Sequence, residues 1–101
     1  MKTCITCGMP LEGEHEKDFG METADGPVCI NDAENGKIKN GQEIFEGGVQ
    51  FFLTLGGDRA LAERLTRKNM QALPYWQKHP FAELSGIAAT EEEFGAAMAK
   101  L

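Results

Sequence analysis

Three cysteines and one aspartate make the most chemically specific pattern in this chain. Cys4 and Cys7 form a Cys-x2-Cys pair within Cys4-Ile5-Thr6-Cys7-Gly8-Met9-Pro10-Leu11, and Cys29-Ile30-Asn31-Asp32 repeats the spacing with a carboxylate in the last place. A Cys-x2-Cys turn aims two thiolates at one point, and two such knuckles facing each other supply the tetrahedral donor set that zinc prefers. Cys4, Cys7 and Cys29 are therefore the predicted metal ligands. Asp32 and His15 compete for the fourth position. Asp32 sits where a second knuckle would carry its last cysteine. His15 is the better zinc donor by chemistry, and the glycine and acidic residues around it describe either a loop able to reach inward or an ordinary exposed histidine. Water, another group, or no metal at all also remains open at this stage.

Other chemistries fit these residues less well. A Cys-x-x-Cys pair with a lowered thiol pKa can drive disulfide exchange, which makes a redox or metal-dependent enzyme using Cys4 and Cys7 the alternative reading. Redox pairs usually open a helix after a strand, whereas Gly8-Met9-Pro10 after Cys7 suits a knuckle turn. His15-Glu16-Lys17 does not reproduce the His-x-Glu and Pro-Cys-x-x-Cys signature of nucleobase deaminases. Ser85 is the sole serine, no serine, histidine and carboxylate constellation stands out, and no phosphate-binding glycine loop is present. The expectation is a non-enzymatic protein.

The elements that must position these ligands follow from pattern. Residues 1–36 are rich in glycine, acidic residues and turn formers, and read as loops and short strands, with Asp25-Gly26 marking a hairpin before the second knuckle. A two- or three-stranded ribbon is expected, and so short a lobe needs a staple such as zinc. From 42 to 55, Ile44, Phe45, Val49, Phe52 and Leu53 recur at helical spacing. Gly47-Gly48 inside that stretch implies either a bend or an unusually close neighbour. Gly56-Gly57 ends the first helix, and Asp58 caps a second over 59–72 with Leu61, Leu65 and Ala72-Leu73 as its apolar stripe. Pro74 closes it, and Tyr75 and Trp76 are expected to pack over the helix pair or the ribbon. Residues 81–89 read as linker. Thr90-Glu91-Glu92-Glu93 then has the capping-box form leading into a short helix carrying Phe94, Ala97, Met98 and Leu101. The fold class is α+β: a small metal-stapled lobe over 1–36, a helical hairpin packed on it over 37–80, and a linker with a short terminal helix over 81–101.

Charge narrows the partners. The 101-residue chain carries a formal −6, placed as 8 acidic and 2 basic residues in 1–36, 4 acidic and 7 basic in 37–80, and 4 acidic and 1 basic in 81–101. A lobe at −6 repels phosphates, so nucleic-acid binding through the knuckles is not expected. An accessory factor that meets nucleic acid through Arg59, Arg64, Arg67 and Lys68 is the second alternative. Three cysteines, no signal peptide and no apolar run near about 18 residues predict a cytoplasmic protein with no membrane contact.

In order along the chain, Cys4-x2-Cys7-Gly8-Met9-Pro10-Leu11, Cys29-x2-Asp32, Gly36-Lys37-Ile38-Lys39, Glu43-Ile44-Phe45-Glu46-Gly47 and Leu73-Pro74-Tyr75-Trp76 resemble the small bacterial zinc-ribbon proteins. In that family a CxxCGMP knuckle and a second CxxC precede two helices ending in a Pro-x-Trp motif. The likeness covers residues 2–78 and implies a zinc-ribbon-like lobe with Cys4, Cys7 and Cys29 as ligands, Gly8 allowing close backbone approach, and helices packed around Trp76. The family has no established reaction. This chain departs from the pattern at Asp32, which implies weaker or lost zinc binding. The expected function is a metal-binding interaction or regulatory module with a protein partner.

Overall fold

The computed structural model describes residues 3–100. Met1 and Lys2, assigned above to the start of the ribbon lobe, and Leu101, assigned to the last helix, lie outside the described residues. The architecture is α+β, with short antiparallel hairpins near the N-terminus followed by helices.

The first hairpin pairs β1 (Phe19–Thr23) with β2 (Gly26–Cys29), and a bulge lies between Phe19 and Met21. Ala24 and Asp25 form its turn, stapled by the Thr23 hydroxyl, which donates to the Gly26 carbonyl at 2.8 Å and accepts from the Asp25 amide at 3.1 Å. A second hairpin, β3 (Ala33–Glu34) with β4 (Lys37–Ile38), was not foreseen as a separate unit. Its turn is Asn35-Gly36 with φ +54° and +76°, the doubly left-handed geometry that tight two-residue hairpins require and that Asn-Gly favours. The ribbon is thus two separate two-stranded sheets rather than one sheet of two or three strands.

Helix α1 (Gly41–Leu53) begins at Asn40, whose side chain accepts from the Glu43 amide at 2.9 Å, and buries Ile44, Phe45, Val49 and Phe52. The two glycines inside it differ. A Cβ on Gly47 would meet nothing within 4 Å, whereas one on Gly48 would lie 2.7 Å from Cγ2 of Thr66. Gly48 therefore marks the close approach of α2 (Arg59–Gln71), where Thr66 is buried and returns its hydroxyl to the Ala62 carbonyl at 2.8 Å. Asp58 caps α2 by accepting from the Leu61 amide at 2.8 Å. The buried face of α2 is Ala62, Leu65, Thr66 and Met70; Ala72, expected in its stripe, is exposed at the C-cap, just past the end of the helix.

Pro74 does not simply end α2. It opens a short α3 (Pro74–Lys78) from the first helical position, where its missing N–H costs nothing, and this turn buries Trp76. Residues 81–89, read as linker, lie along α2 instead. Arg67 donates to the Glu83 carbonyl at 2.9 Å, Gln71 to the Leu84 carbonyl at 2.9 Å, and the Ala89 amide to the Arg64 carbonyl at 3.0 Å. The attachment combines backbone carbonyls with isolated apolar contacts of Phe81, Leu84 and Ala89, which follow no regular helical or strand period. Helix α4 (Glu91–Met98) starts with the full Thr90–Glu93 capping box and is held to α2 by Arg64–Glu93 at 3.0 Å and by Lys68–Glu91.

The core is in two parts. Ile44, Phe45, Val49, Phe52, Ala62, Leu65, Met70, Trp76, Leu84, Ala89 and Ala97 form the helical cluster. Cys4, Leu11, Val28 and Cys29 form the smaller one, and Ile38 packs against both.

Candidate metal centre

The first knuckle is built by its own backbone. The Cys4 amide donates to the Met9 carbonyl at 2.9 Å, the Gly8 amide donates to the Cys4 carbonyl at 2.8 Å, and Thr3 bridges Pro10. Gly8 has φ +79°, and a Cβ there would stand 3.5 Å from Asn69 Oδ1, an ordinary contact. Glycine is needed at this position for its conformation and not, as expected, for close approach. The second knuckle leaves β2 at Cys29 and turns so that the Asp32 amide donates to the Cys29 carbonyl at 3.1 Å, while β4 continues with Lys39 donating to the Asp32 carbonyl at 2.8 Å.

These turns bring Cys4, Cys7, Cys29 and Asp32 together, with one potential ligand atom from each lying within 4.8 Å of every other. Cys7 Sγ and Cys29 Sγ are 3.7 Å apart, and Cys4 Sγ lies 3.7 Å from Asp32 Oδ2. A tetrahedral zinc ion with sulfur at about 2.3 Å and oxygen at about 2.1 Å has donor–donor edges of about 3.6–3.8 Å. Two edges of that tetrahedron are therefore already present, and the donor set of three thiols and a carboxylate is chemically suited to zinc. The residues present fit the ion, and they can hold a metal.

His15 is not among the converging donors. It lies in an exposed 3₁₀ turn, Gly13–Asp18, where its Nδ1 is 3.2 Å from Asp18 Oδ2.

Electrostatics show what the cluster lacks when no cation balances it. Hydrogen bonds from the Cys29 and Cys7 thiols, helped by the Thr6 hydroxyl and the Cys29 amide, hold Cys4 far below the ordinary thiol range against the effect of burial. The Cys29 amide reaches Cys4 Sγ at 3.2 Å. In return, donation to Cys4 together with burial pushes Cys29 up to about 12, and hydrogen bonds to Cys29 and Cys4 push Cys7 higher still. The opposed directions arise from hydrogen bonds shared among the three thiols. Burial also raises the Asp32 carboxyl, opposed chiefly by the Thr6 hydroxyl. A divalent cation held by Cys4, Cys7, Cys29 and Asp32 would displace thiol protons and let the donors carry charge together.

Residues outside the ligand pattern anchor the site to the helices. Trp76 Nε1 donates to the Thr6 carbonyl at 2.9 Å, and Asn69 Nδ2 donates to the Cys7 carbonyl at 2.9 Å. Trp76 was expected to pack over the helix pair or the ribbon; it belongs to the helical cluster and also binds the knuckle. Asn69 and Thr6 were missed. A polar residue inside a knuckle and an asparagine on a helix look like surface positions until both meet the same turn.

The four basic residues offered for nucleic acid all have partners within the chain. Arg59 bonds Glu46 at 2.6 Å and Glu63 at 3.1 Å, Arg64 bonds Glu93, Arg67 bonds backbone carbonyls and lies over the Phe45 ring at 5.5 Å, and Lys68 bonds Glu91. No described helix is long and apolar enough to cross a membrane. No protein-family model, no curated protein and no solved structure matches the chain.

Proposed function

We propose that this chain is a zinc-binding, non-enzymatic interaction or regulatory module in which Cys4, Cys7, Cys29 and Asp32 hold one ion. The observation that carries this reading is the convergence of four donors from two knuckles 22 residues apart between Cys7 and Cys29, all within 4.8 Å of one another and two pairs of them at 3.7 Å, close to a tetrahedral edge. Four protein donors make a closed shell, the arrangement of structural sites, whereas catalytic zinc keeps a position for water or substrate. The kinship with zinc-ribbon proteins belongs to this proposal and is supported by the paired knuckles and the positive φ of Gly8. A cytoplasmic setting accords with three free thiols, two of them buried.

The redox alternative at Cys4 and Cys7 draws less support. Cys4 is fully buried, and the Cys7 thiol also lies 3.7 Å from that of Cys29, so Cys4 and Cys7 do not form an isolated pair. The nucleic-acid alternative would have to break the ion pairs of Arg59, Arg64 and Lys68 before those side chains could meet phosphates. A protein partner remains the proposed ligand of the module as a whole.

Metal analysis of protein purified without added zinc, with thiol alkylation beside it, tests the reading. One zinc per chain and three thiols that react only after chelation are expected. Metal-free folded protein whose three thiols react at once overturns it.

A further inference from the structure

The knuckle carries a side chain that the ligand pattern does not explain. Thr6 lies between the two cysteines and is fully buried in the small cluster of Cys4, Leu11, Val28 and Cys29. A hydroxyl in such a place costs free energy unless it is hydrogen-bonded. Its proton goes to Asp32 Oδ2 at 2.6 Å, and Cys4 Sγ stands 3.1 Å from the Thr6 hydroxyl oxygen. Thr6 is itself fixed, because Trp76 holds its carbonyl at 2.9 Å and the Pro27 carbonyl holds the preceding amide of Ile5 at 3.0 Å.

We propose that Thr6 is a positioning residue for the metal site, seating Asp32 as the fourth donor where a cysteine would otherwise stand. This inference rests on the metal-binding reading given above. A thiolate presents one soft donor atom at a set distance from its Cα. A carboxylate rotates about its last bond and offers two oxygens, so it needs an outside partner to fix its plane, the role that hydrogen-bonded outer residues play at metal sites generally. Thr6 supplies that partner from inside the opposite knuckle. The two knuckles are thereby joined by a direct bond before any ion enters, and Trp76 ties the joint to α3. The departure from a four-cysteine pattern is matched by a second polar residue in contact with it.

The test is cobalt(II) and zinc(II) titration of the full-length chain against a chromophoric competitor, in Thr6→Val, Thr6→Ser, Asp32→Ala and the double variant Thr6→Val with Asp32→Ala. Cobalt reports coordination through its tetrahedral visible bands. Thr6→Val, close to isosteric, is expected to weaken both metals about tenfold or more and to alter those bands, while Thr6→Ser stays within about threefold. In the Asp32→Ala background, Thr6→Val is expected to change affinity less than about twofold, since its effect passes through the missing carboxylate. Wild-type affinity in Thr6→Val, or an equal loss with and without Asp32, overturns the inference and leaves the metal reading standing. Should Thr6→Val fail to fold, Thr6→Ser decides: about a tenfold loss despite the retained hydroxyl overturns it. Wild-type protein that takes up neither cobalt nor zinc removes the metal reading itself, and the inference with it.

Discussion

Three thiols and a carboxylate gathered in a small, largely buried volume disfavour carrying charge together unless a cation joins them. Asp32 shows this most directly. It is 7% exposed, its carboxyl is raised by burial, and it stands 3.7 Å from the thiol most inclined to carry negative charge. Because its folded-state pKa lies above its unfolded one, the folded metal-free protein binds the extra proton. The associated stability is present below the ordinary carboxylate pKa and is lost as pH rises through the folded value. Asp32→Asn keeps an acceptor for Thr6 and removes that loss. Thermal melts of the metal-free proteins across pH 4 to 8 should therefore show the variant gaining on wild type as pH rises, and its zinc affinity should fall about tenfold or more. A variant that melts in parallel with wild type at every pH would mean that Asp32 carries no burial penalty.

At the scale of elements, the decisive contact between helices α1 and α2 is made by small residues. Gly47 faces open space, so Gly47→Ala should stabilise the protein by up to about 1 kcal/mol through helix propensity. Gly48 faces Thr66 across the helix crossing, and Gly48→Ala should cost about 1–3 kcal/mol through overpacking. Denaturant melts of the two variants should move in opposite directions, and a shared direction would contradict the crossing. This pair also shows what the sequence could and could not convey. The double glycine pointed to a bend or a close neighbour, but only the position of Thr66 separates one glycine from the other. Local signals with a strong chemical requirement were legible: the Asp58 cap, the Thr90–Glu93 capping box, the Asp25-Gly26 hairpin, and the spacing of Cys4, Cys7, Cys29 and Asp32. Asn35-Gly36 carries an equally plain hairpin signal in its left-handed pair. The attachment of residues 81–89 was not legible, since Arg67 and Gln71 reach backbone carbonyls, which every sequence possesses, and the apolar contacts of Phe81, Leu84 and Ala89 follow no regular period.

At the scale of the whole molecule, the two cores differ in what sustains them. The helical cluster is large and contains its own aromatics, with Trp76 and Phe81 rings 5.1 Å apart and Phe45 and Phe81 6.3 Å apart. The knuckle cluster has two candidate ligand cysteines among its four buried members, too small an apolar core to hold a lobe unaided. Chelation should therefore raise amide exchange across residues 3–38 while α1 and α2 keep their protection, and Trp76 emission should shift as its bond to the Thr6 carbonyl loosens. Uniform loss of protection would show that the helices depend on the ion as well. The central claim, that Cys4, Cys7, Cys29 and Asp32 hold one metal, is met most directly by zinc K-edge absorption on the full chain carrying one equivalent of zinc. The account predicts three sulfurs at about 2.3 Å and one oxygen at about 2.0–2.2 Å. A shell of nitrogen and oxygen alone, or zinc that washes off before the spectrum is taken, would contradict it.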